Sequence, residues 1–232
     1  MEVRKVAESG IAPLIYNGSR YFPFEWLKGR QFRNKHLVNL LGTAQQNREM
    51  GASSVLLDTC AMSDMIRNLL RERGESRLLV IGSNNMIAAA MAKEGDFPEA
   101  VPHFNDWAAC GVKVGAFPCL VDENDFRPEE ATRLLAMLRS ENAPRVVLGL
   151  RDIEAWRMQQ LLLREAPDIL QRIILLGNGN TPHSRCATPQ IASIDWNIPA
   201  IVEALCAAIS QRASGGGHQT RLIQPRFIRL PQ

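Results

Sequence analysis

The chain has 232 residues, of which 46% are hydrophobic, and its formal net charge is +3. This length is enough for one large domain or two small lobes with a buried core, and the near-neutral charge gives no electrostatic case for nucleic-acid binding. The beginning of the chain lacks a signal-peptide pattern, and no apolar run reaches membrane-spanning length. The five cysteines occur singly, without metal or redox spacing, which is typical of reduced thiols. We therefore expect a cytoplasmic protein with no membrane partner, metal or cofactor.

The first fifty residues are the least regular part of the chain. Residues 2–9 are compatible with a short helix, and residues 12–16 with a strand that ends at Asn17-Gly18. Residues 19–51 join an aromatic segment to a basic run. Such a combination can bind single-stranded nucleic acid, but it is more often a solvated surface over a packed anchor, and we favour the second interpretation.

Beyond residue 52, short apolar runs alternate with amphipathic stretches, a pattern that predicts an α/β protein with buried parallel strands. The expected strands are 54–58, 78–82, 117–121, 146–150 and 173–176. The expected helices are 60–73, 98–110, 127–139, 153–163 and 198–209. A glycine-rich break at 214–217 is expected to be flexible, and residues 219–230 alternate apolar and polar like one half-buried strand.

The chain is organised around the strand–helix–strand unit between residues 143 and 196. Its two predicted strands end in polar residues, Arg151-Asp152 after the first and Asn178-Gly179-Asn180 after the second. In parallel sheets, ligands bind beyond the carboxyl ends of the strands, so these polar groups are candidates for a binding site. An Asp that opens a helix also stabilises it as a cap, and the sequence leaves open whether Asp152 does only that.

This part of the chain resembles the effector-binding domain of the LacI/GalR family of bacterial transcription regulators. The resemblance rests on Arg151-Asp152, on Pro167-Asp168, on the Gly177–Asn180 segment and on the Thr188–Ile194 segment, which follow the family's order and spacing. The Asp58-to-Gly74 interval and the tail near Thr220-Arg221 also resemble the family pattern. The resemblance covers residues 53–230.

The resemblance implies an α/β fold of the periplasmic-binding-protein-like type I, with two parallel-sheet lobes and a small ligand in the cleft between them. The N-terminal lobe is expected to be incomplete, and the family's helix-turn-helix is not evident. We assign residues 1–52 to a partial N-terminal lobe with an atypical insertion, residues 53–213 to the effector-binding core, and residues 214–232 to the break and the C-terminal strand. Because no signal peptide is evident, a periplasmic transport receptor of this fold is disfavoured.

A sugar or a similar small polar effector is the ligand that the resemblance implies. The candidate ligand-binding residues lie at predicted strand ends and share polar side chains: Asp58, Ser83, Asn84, Asp152 and Asn178. Carboxylates suit sugars because they accept paired hydroxyl hydrogen bonds. Ala100 stands where the family has an Arg that holds ligand hydroxyls, so the ligand is expected to differ or binding to be lost.

Two alternatives stay open at this stage. The chain could be a ligand-free interaction subunit that pairs with a full-length homologue, since the family forms homodimers through self-complementary surfaces and would contact DNA only indirectly here. A small α/β enzyme is the weaker alternative, and its candidate residues are Cys60, His103, Cys110 and His183. The sequence has no nucleophile elbow, phosphate loop or metal-spaced cluster, so we expect a protein that is not an enzyme.

Overall fold

A computed structural model of the chain describes residues 14–17, 37–40, 51–92, 101–119 and 125–228. Within these ranges the strands are β1 Leu14–Asn17, β2 Leu37–Leu40, β3 Ser53–Leu57, β4 Arg77–Gly82, β5 Lys113–Pro118, β6 Val146–Gly149, β7 Ile174–Asn178, β8 Ala192–Asp195, β9 Thr220–Ile223 and β10 Arg226–Ile228. The α-helices are α1 Thr59–Glu72, α2 Asn84–Met91, α3 Pro128–Arg139, α4 Asp152–Glu165, α5 Pro167–Leu170, α6 Pro182–Arg185 and α7 Ile198–Ala213.

The chain divides into two compact units, and each is formed by separate segments. The described part of the first unit comprises residues 14–17, 37–40, 51–58 and 197–224, and that of the second comprises residues 59–92, 101–119, 125–196 and 225–228. The chain passes between the units after Asp58, Trp196 and Gln224. These boundaries differ from the division at residues 52 and 213 that the sequence suggested, because the C-terminal strands are shared between the units.

The first unit contains a parallel sheet in the order β1-β2-β3-β9. Helix α7 packs against β2 and β3. Strand β2 lies between β1 and β3, although its residues fall within the 19–51 segment that the sequence suggested was an insertion. Four residues of that segment are therefore part of the lobe's own sheet. The short helix expected at residues 2–9 and the aromatic and basic residues up to His36 lie outside the described residues.

The second unit contains a sheet in the order β10-β8-β7-β6-β4-β5, in which only β10 runs antiparallel to its neighbour. Its interior residues are apolar on both faces, as the predicted all-apolar strands require. One face forms a core in which Leu79, Ile81 and Val147 pack with residues of α3 and α4. The alternate residues Leu78 and Leu148 are buried as well. The predicted α/β class with parallel sheets is confirmed.

Three local predictions were wrong. The expected helix at 98–110 is a 3₁₀ turn at Trp107–Cys110 preceded by irregular backbone from residue 101. The strand expected at 117–121 is β5, which starts at Lys113 because it pairs in register with the whole of β4. The tail expected as one strand is broken at Gln224-Pro225 and contributes β9 to one sheet and β10 to the other.

Two glycines allow α4 to lie close to the ends of β6 and β7. A Cβ added at Gly149 would be 2.6 Å from the backbone nitrogen of Ala155. A Cβ added at Gly177 would collide with the Asp152 carboxylate. Side chains at these two positions would push the first turns of α4 away from the sheet.

We expect Gly177→Ala to lower the free energy of unfolding by about 2 kcal/mol, because the added methyl group overpacks the contact with Asp152. Urea denaturation followed by circular dichroism measures this change. Gly115→Ala in β5 is the matched control, since its Cβ would meet only ordinary contacts, the nearest at 3.7 Å. Equal stabilities of the two variants would contradict the proposed close approach.

Candidate ligand-binding site

The carboxyl edge of the six-stranded sheet contains the topological switch point of the second unit. From β4, the chain places β5 on one side and then returns to place β6, β7 and β8 on the other side. In open α/β sheets, such a reversal leaves a crevice beyond the carboxyl ends of the two strands that flank it. Ser83 and Asn84 follow β4, and Arg151 and Asp152 follow β6, so four polar residues stand at this point.

Asp152 is completely buried in the first turn of α4. Its Oδ1 accepts a hydrogen bond from Ser193 Oγ at 2.6 Å, and its Oδ2 accepts one from the backbone nitrogen of Thr181 at 2.5 Å. A carboxylate at a helix N-terminus is favoured by the helix dipole, and hydrogen-bond donors offset the loss of water. The side chain therefore joins α4 to β8 and to the loop after β7.

Asn178 is 1% exposed at the end of β7, and its amide bonds within the protein at both ends. Its Nδ2 donates to the carbonyl oxygen of Leu150 at 3.1 Å, and its Oδ1 accepts from Trp196 Nε1 at 2.8 Å. The side chain thus ties the end of β7 to the end of β6 and to the residue that follows β8. These contacts hold the ends of β6, β7 and β8 in fixed positions relative to one another.

Ser83 and Asn84 lie at the surface of the same edge. Ser83 is the N-cap of α2, with its Oγ accepting from the Met86 backbone nitrogen at 3.4 Å. Asn84 is the first residue of that helix and is exposed. Ser83 therefore caps a helix, while the side chain of Asn84 is open to solvent.

Asp58 belongs to the first unit, where it follows β3. Its Oδ2 accepts a hydrogen bond from Gln224 Nε2 at 2.6 Å, and its backbone nitrogen donates to Ile223 at 3.0 Å. Asp58 and Gln224 are both the last residues of their segments of this unit. The contact therefore joins two of the places at which the chain leaves the unit.

A buried acidic residue, Glu154, holds Arg151 at the start of α4. Glu154 is 1% exposed and accepts from the Arg151 side chain, whose Nε lies 2.8 Å from Glu154 Oε1. Its second oxygen accepts from the Arg151 backbone nitrogen at 2.9 Å, which completes a capping box on α4. Burial, together with the nearby Glu154 carboxylate, raises the pKa of the Cys119 thiol to about 12. Cys119 is therefore a protonated, inert packing group at neutral pH.

The sequence placed Asp152 and Asn178 at strand ends correctly but could not show their partners. Ser193, Thr181 and Trp196 complete the hydrogen bonds, and none of the three was predicted as a site residue. The available signal was Ser193, a polar residue between the buried apolar residues Ala192 and Ile194 of β8. The position of Ala100 lies outside the described residues.

Two structural features are absent from the part of the chain that the structure describes. No group of three or more metal-ligating side chains occurs within the described residues. No described helix combines the length and the apolar character that a membrane span requires.

The chain matches no family model, and no curated protein matches it. Solved structures do match it. A LacI transcriptional regulator from a Rhodococcus species has a TM-score of 0.69 at 17% identity, with 97% of this chain and 79% of that chain covered. A LacI family regulator from Enterococcus faecalis V583 with bound ribose has a TM-score of 0.69 at 12% identity, with 97% and 78% covered. A periplasmic binding protein/LacI regulator from Alkaliphilus metalliredigens QYMF, complexed with D-xylulofuranose, has a TM-score of 0.63 at 13% identity, with 97% and 79% covered.

The chain therefore has the periplasmic-binding-protein-like α/β fold that these LacI-type regulators share. The resemblance to the LacI/GalR effector-binding domain, predicted from the motifs around Asp152, is confirmed at the level of the fold. Identities this low establish no shared ligand or partner.

We expect Asp152→Ala to lower the free energy of unfolding by about 3 kcal/mol, because it leaves a buried hydroxyl and a buried backbone N–H without their acceptor. Chemical denaturation measures the loss. Asp168→Ala is the matched control, since that carboxylate is exposed, pairs with Arg172 at 2.9 Å and should contribute less than about 1 kcal/mol. A loss no larger than that of the control would contradict the structural role of Asp152.

Proposed function

We propose that the chain is the effector-sensing part of a LacI/GalR-type transcription regulator and that it binds a sugar or a similar small polar molecule. Two structures of the same fold are described with bound ribose or D-xylulofuranose, and a third, from Arthrobacter sp. FB24, with lactose. These matches support a binding protein rather than an enzyme. The cytoplasmic location stays a prediction.

The observation that carries the proposal is the hydrogen-bonded set of Asp152 and Asn178 at the switch-point edge. A binding site needs side chains whose positions are fixed by a supporting layer. Both residues are buried and hold strand ends and loops in place through hydrogen bonds within the protein. They would therefore support a ligand-binding site at this edge. A ligand hydroxyl could contact Asp152 directly only if the surrounding groups moved, because the carboxylate is completely buried.

The residues that contact the ligand directly are then those at the open surface of this edge. We assign this role first to Ser83 and Asn84, which precede or begin α2 at the end of β4. The side chain of Arg151 is 42% exposed at the same switch point, and its guanidinium is a donor fork of the kind that orients polar ligands. We propose that Arg151 supplies the function for which the family uses the Arg that Ala100 replaces. Asp58 is kept as a ligand-binding candidate from the first unit.

The test is a thermal-shift screen of the purified chain against pentoses, hexoses and disaccharides, followed by calorimetric titration of any hit. Ligand binding to the native state raises the melting temperature with the logarithm of ligand excess. Asn84→Ala should raise the dissociation constant of a sugar found in the screen by about threefold to tenfold, which corresponds to one lost hydrogen bond. Arg151→Lys should raise the same dissociation constant, because the donor fork of the guanidinium is lost while the positive charge is kept.

Asn142→Ala is the matched control, because Asn142 is exposed at the turn before β6 and bonds only to Arg77 in the described structure. Its dissociation constant should equal that of the unmodified chain. A well-melting protein that binds none of the sugars would contradict the proposed ligand class. Equal weakening by Asn142→Ala and Asn84→Ala would contradict the proposed position of the site.

A second candidate function is a ligand-free interaction subunit that forms a symmetric dimer, and the outward face of α4 favours it. Leu163 lies on this face and is 42% exposed although it is a large apolar residue, and Ile153 is half-buried near the start of the helix. A single apolar helix face can pack against its own copy about a twofold axis. The partner in this dimer is a second copy of the chain.

Leu163→Lys should shift such a dimer towards the monomer in sedimentation velocity, because the charge would be buried in the interface. Met137→Lys on α3 is the control, since Met137 is a similarly exposed apolar residue at 37% and lies on another helix. A chain that sediments as a monomer before any substitution, or a dimer unaffected by Leu163→Lys, would contradict pairing through this face.

A further inference from the structure

The second unit contains a cavity at the opposite, amino-terminal edge of its sheet. The cavity has a volume of about 240 Å³. It lies at the beginnings of β7 and β8. The first residue of each strand, Ile174 and Ala192, lines it. The candidate effector site is at the carboxyl ends of the same strands. The cavity is therefore separate from that site, and nothing in the proposed function uses it.

Most of the cavity wall is apolar. Leu69 of α1, Leu170 of α5 and Phe227 of β10 line it together with isoleucines that precede or begin the strands. Apolar cavities of about 150 Å³ stay dry and bind benzene, so a space of this size and lining can hold a single aromatic ring. The charged residues at the end of α1, Glu72 and Arg73, also belong to the lining and are exposed.

One buried polar side chain belongs to this wall. Gln159 of α4 is 1% exposed, and its Nε2 donates to the carbonyl oxygen of Pro189 at 2.5 Å. Its Oε1 is buried and has no hydrogen-bond partner among the described residues. The reverse orientation of the amide would set two oxygens against each other at Pro189, so the unpaired group is an acceptor. Buried polar groups in native proteins nearly always have partners, and an exception indicates a missing one.

We infer that this cavity is a second small-molecule site, which takes an aromatic or similarly compact apolar molecule with a single hydrogen-bond donor such as a phenolic hydroxyl. The apolar wall would take the ring, and the Gln159 side chain would have to turn its buried Oε1 towards the donor. The sugar-type ligands proposed for the other edge suit this lining less well, because most of the wall is apolar and would offer few partners to their many hydroxyl groups. The inference does not depend on the proposed function.

The experiment compares phenol with benzene, which has the same ring but no donor, on the full chain labelled at its isoleucine methyl groups. Phenol should shift the signals of Ile173, Ile174 and Ile191, which line the cavity, and leave Ile201 of the other unit unchanged. Its dissociation constant should be about 1 mM, as expected for so small a ligand. Benzene should bind about threefold to tenfold more weakly, because it leaves Oε1 without a donor.

Gln159→Leu removes the acceptor at nearly constant volume and should make phenol and benzene bind equally. Gln160→Leu is the matched control, because it makes the same change at the next position of α4 and Gln160 does not line the cavity. The control should keep the preference for phenol. The phenol–benzene comparison on the unmodified chain stands even if Gln159→Leu fails to fold.

Three outcomes would overturn the inference. The first is the absence of shifts at the three isoleucines up to the highest phenol concentration that leaves the circular dichroism spectrum unchanged. The second is equal binding of phenol and benzene by the unmodified chain, which would show that Gln159 takes no part. The third is an unchanged preference for phenol in a folded Gln159→Leu variant. A negative sugar screen would leave this inference intact, because the two experiments use different ligands and different residues.

Discussion

The arrangement of the carboxyl edge depends on one buried carboxylate. Asp152 has no contact with solvent, so its charge needs donors that the protein itself supplies. Those donors come from the loop after β7 and from β8, and the helix that carries the carboxylate is adjacent to β6 and β7. Gly177 has no side chain because the carboxylate occupies the space that a Cβ would need. The identity of several residues thus follows from one electrostatic requirement.

Much of this unit could be predicted because its local signals agree with its final contacts. Two apolar runs flank an amphipathic stretch between residues 146 and 178, and the structure has β6, α4 and β7 there. Strand β2 could not be predicted in the same way. Its four residues, Leu37 to Leu40, directly follow a basic run, and they form a strand by pairing with β1 and β3 on both sides. The break at Pro225 was hidden by an alternation that continues through β9 and β10.

The positions of Asp152 and Asn178 at strand ends were predictable, but their contacts were not. Strand ends followed by polar residues correctly placed Asp152 and Asn178 at the edge. The sequence could not show that Ser193, 41 residues away from Asp152, would donate to its carboxylate. Long-range partners of this kind depend on strand order, which the sequence leaves open. The buried state of both side chains makes them supports for neighbouring groups, and it is the reason for proposing direct ligand contact at residues such as Asn84 and Arg151.

Helix α4 connects the two proposed binding regions, because Asp152 is in its first turn and Gln159 comes seven residues later. That interval corresponds to about 10 Å along a helix, so one region lies at the start of this helix and the other at its middle. Asp152 fixes its beginning through Ser193 and Thr181, and Gln159 fixes its middle through the Pro189 carbonyl. Two ligands that each moved α4 would affect each other's affinity by the same factor, since coupling between binding sites is reciprocal. The outward face of the same helix carries the exposed Leu163, so the proposed dimer formation through that face would respond to the same movement.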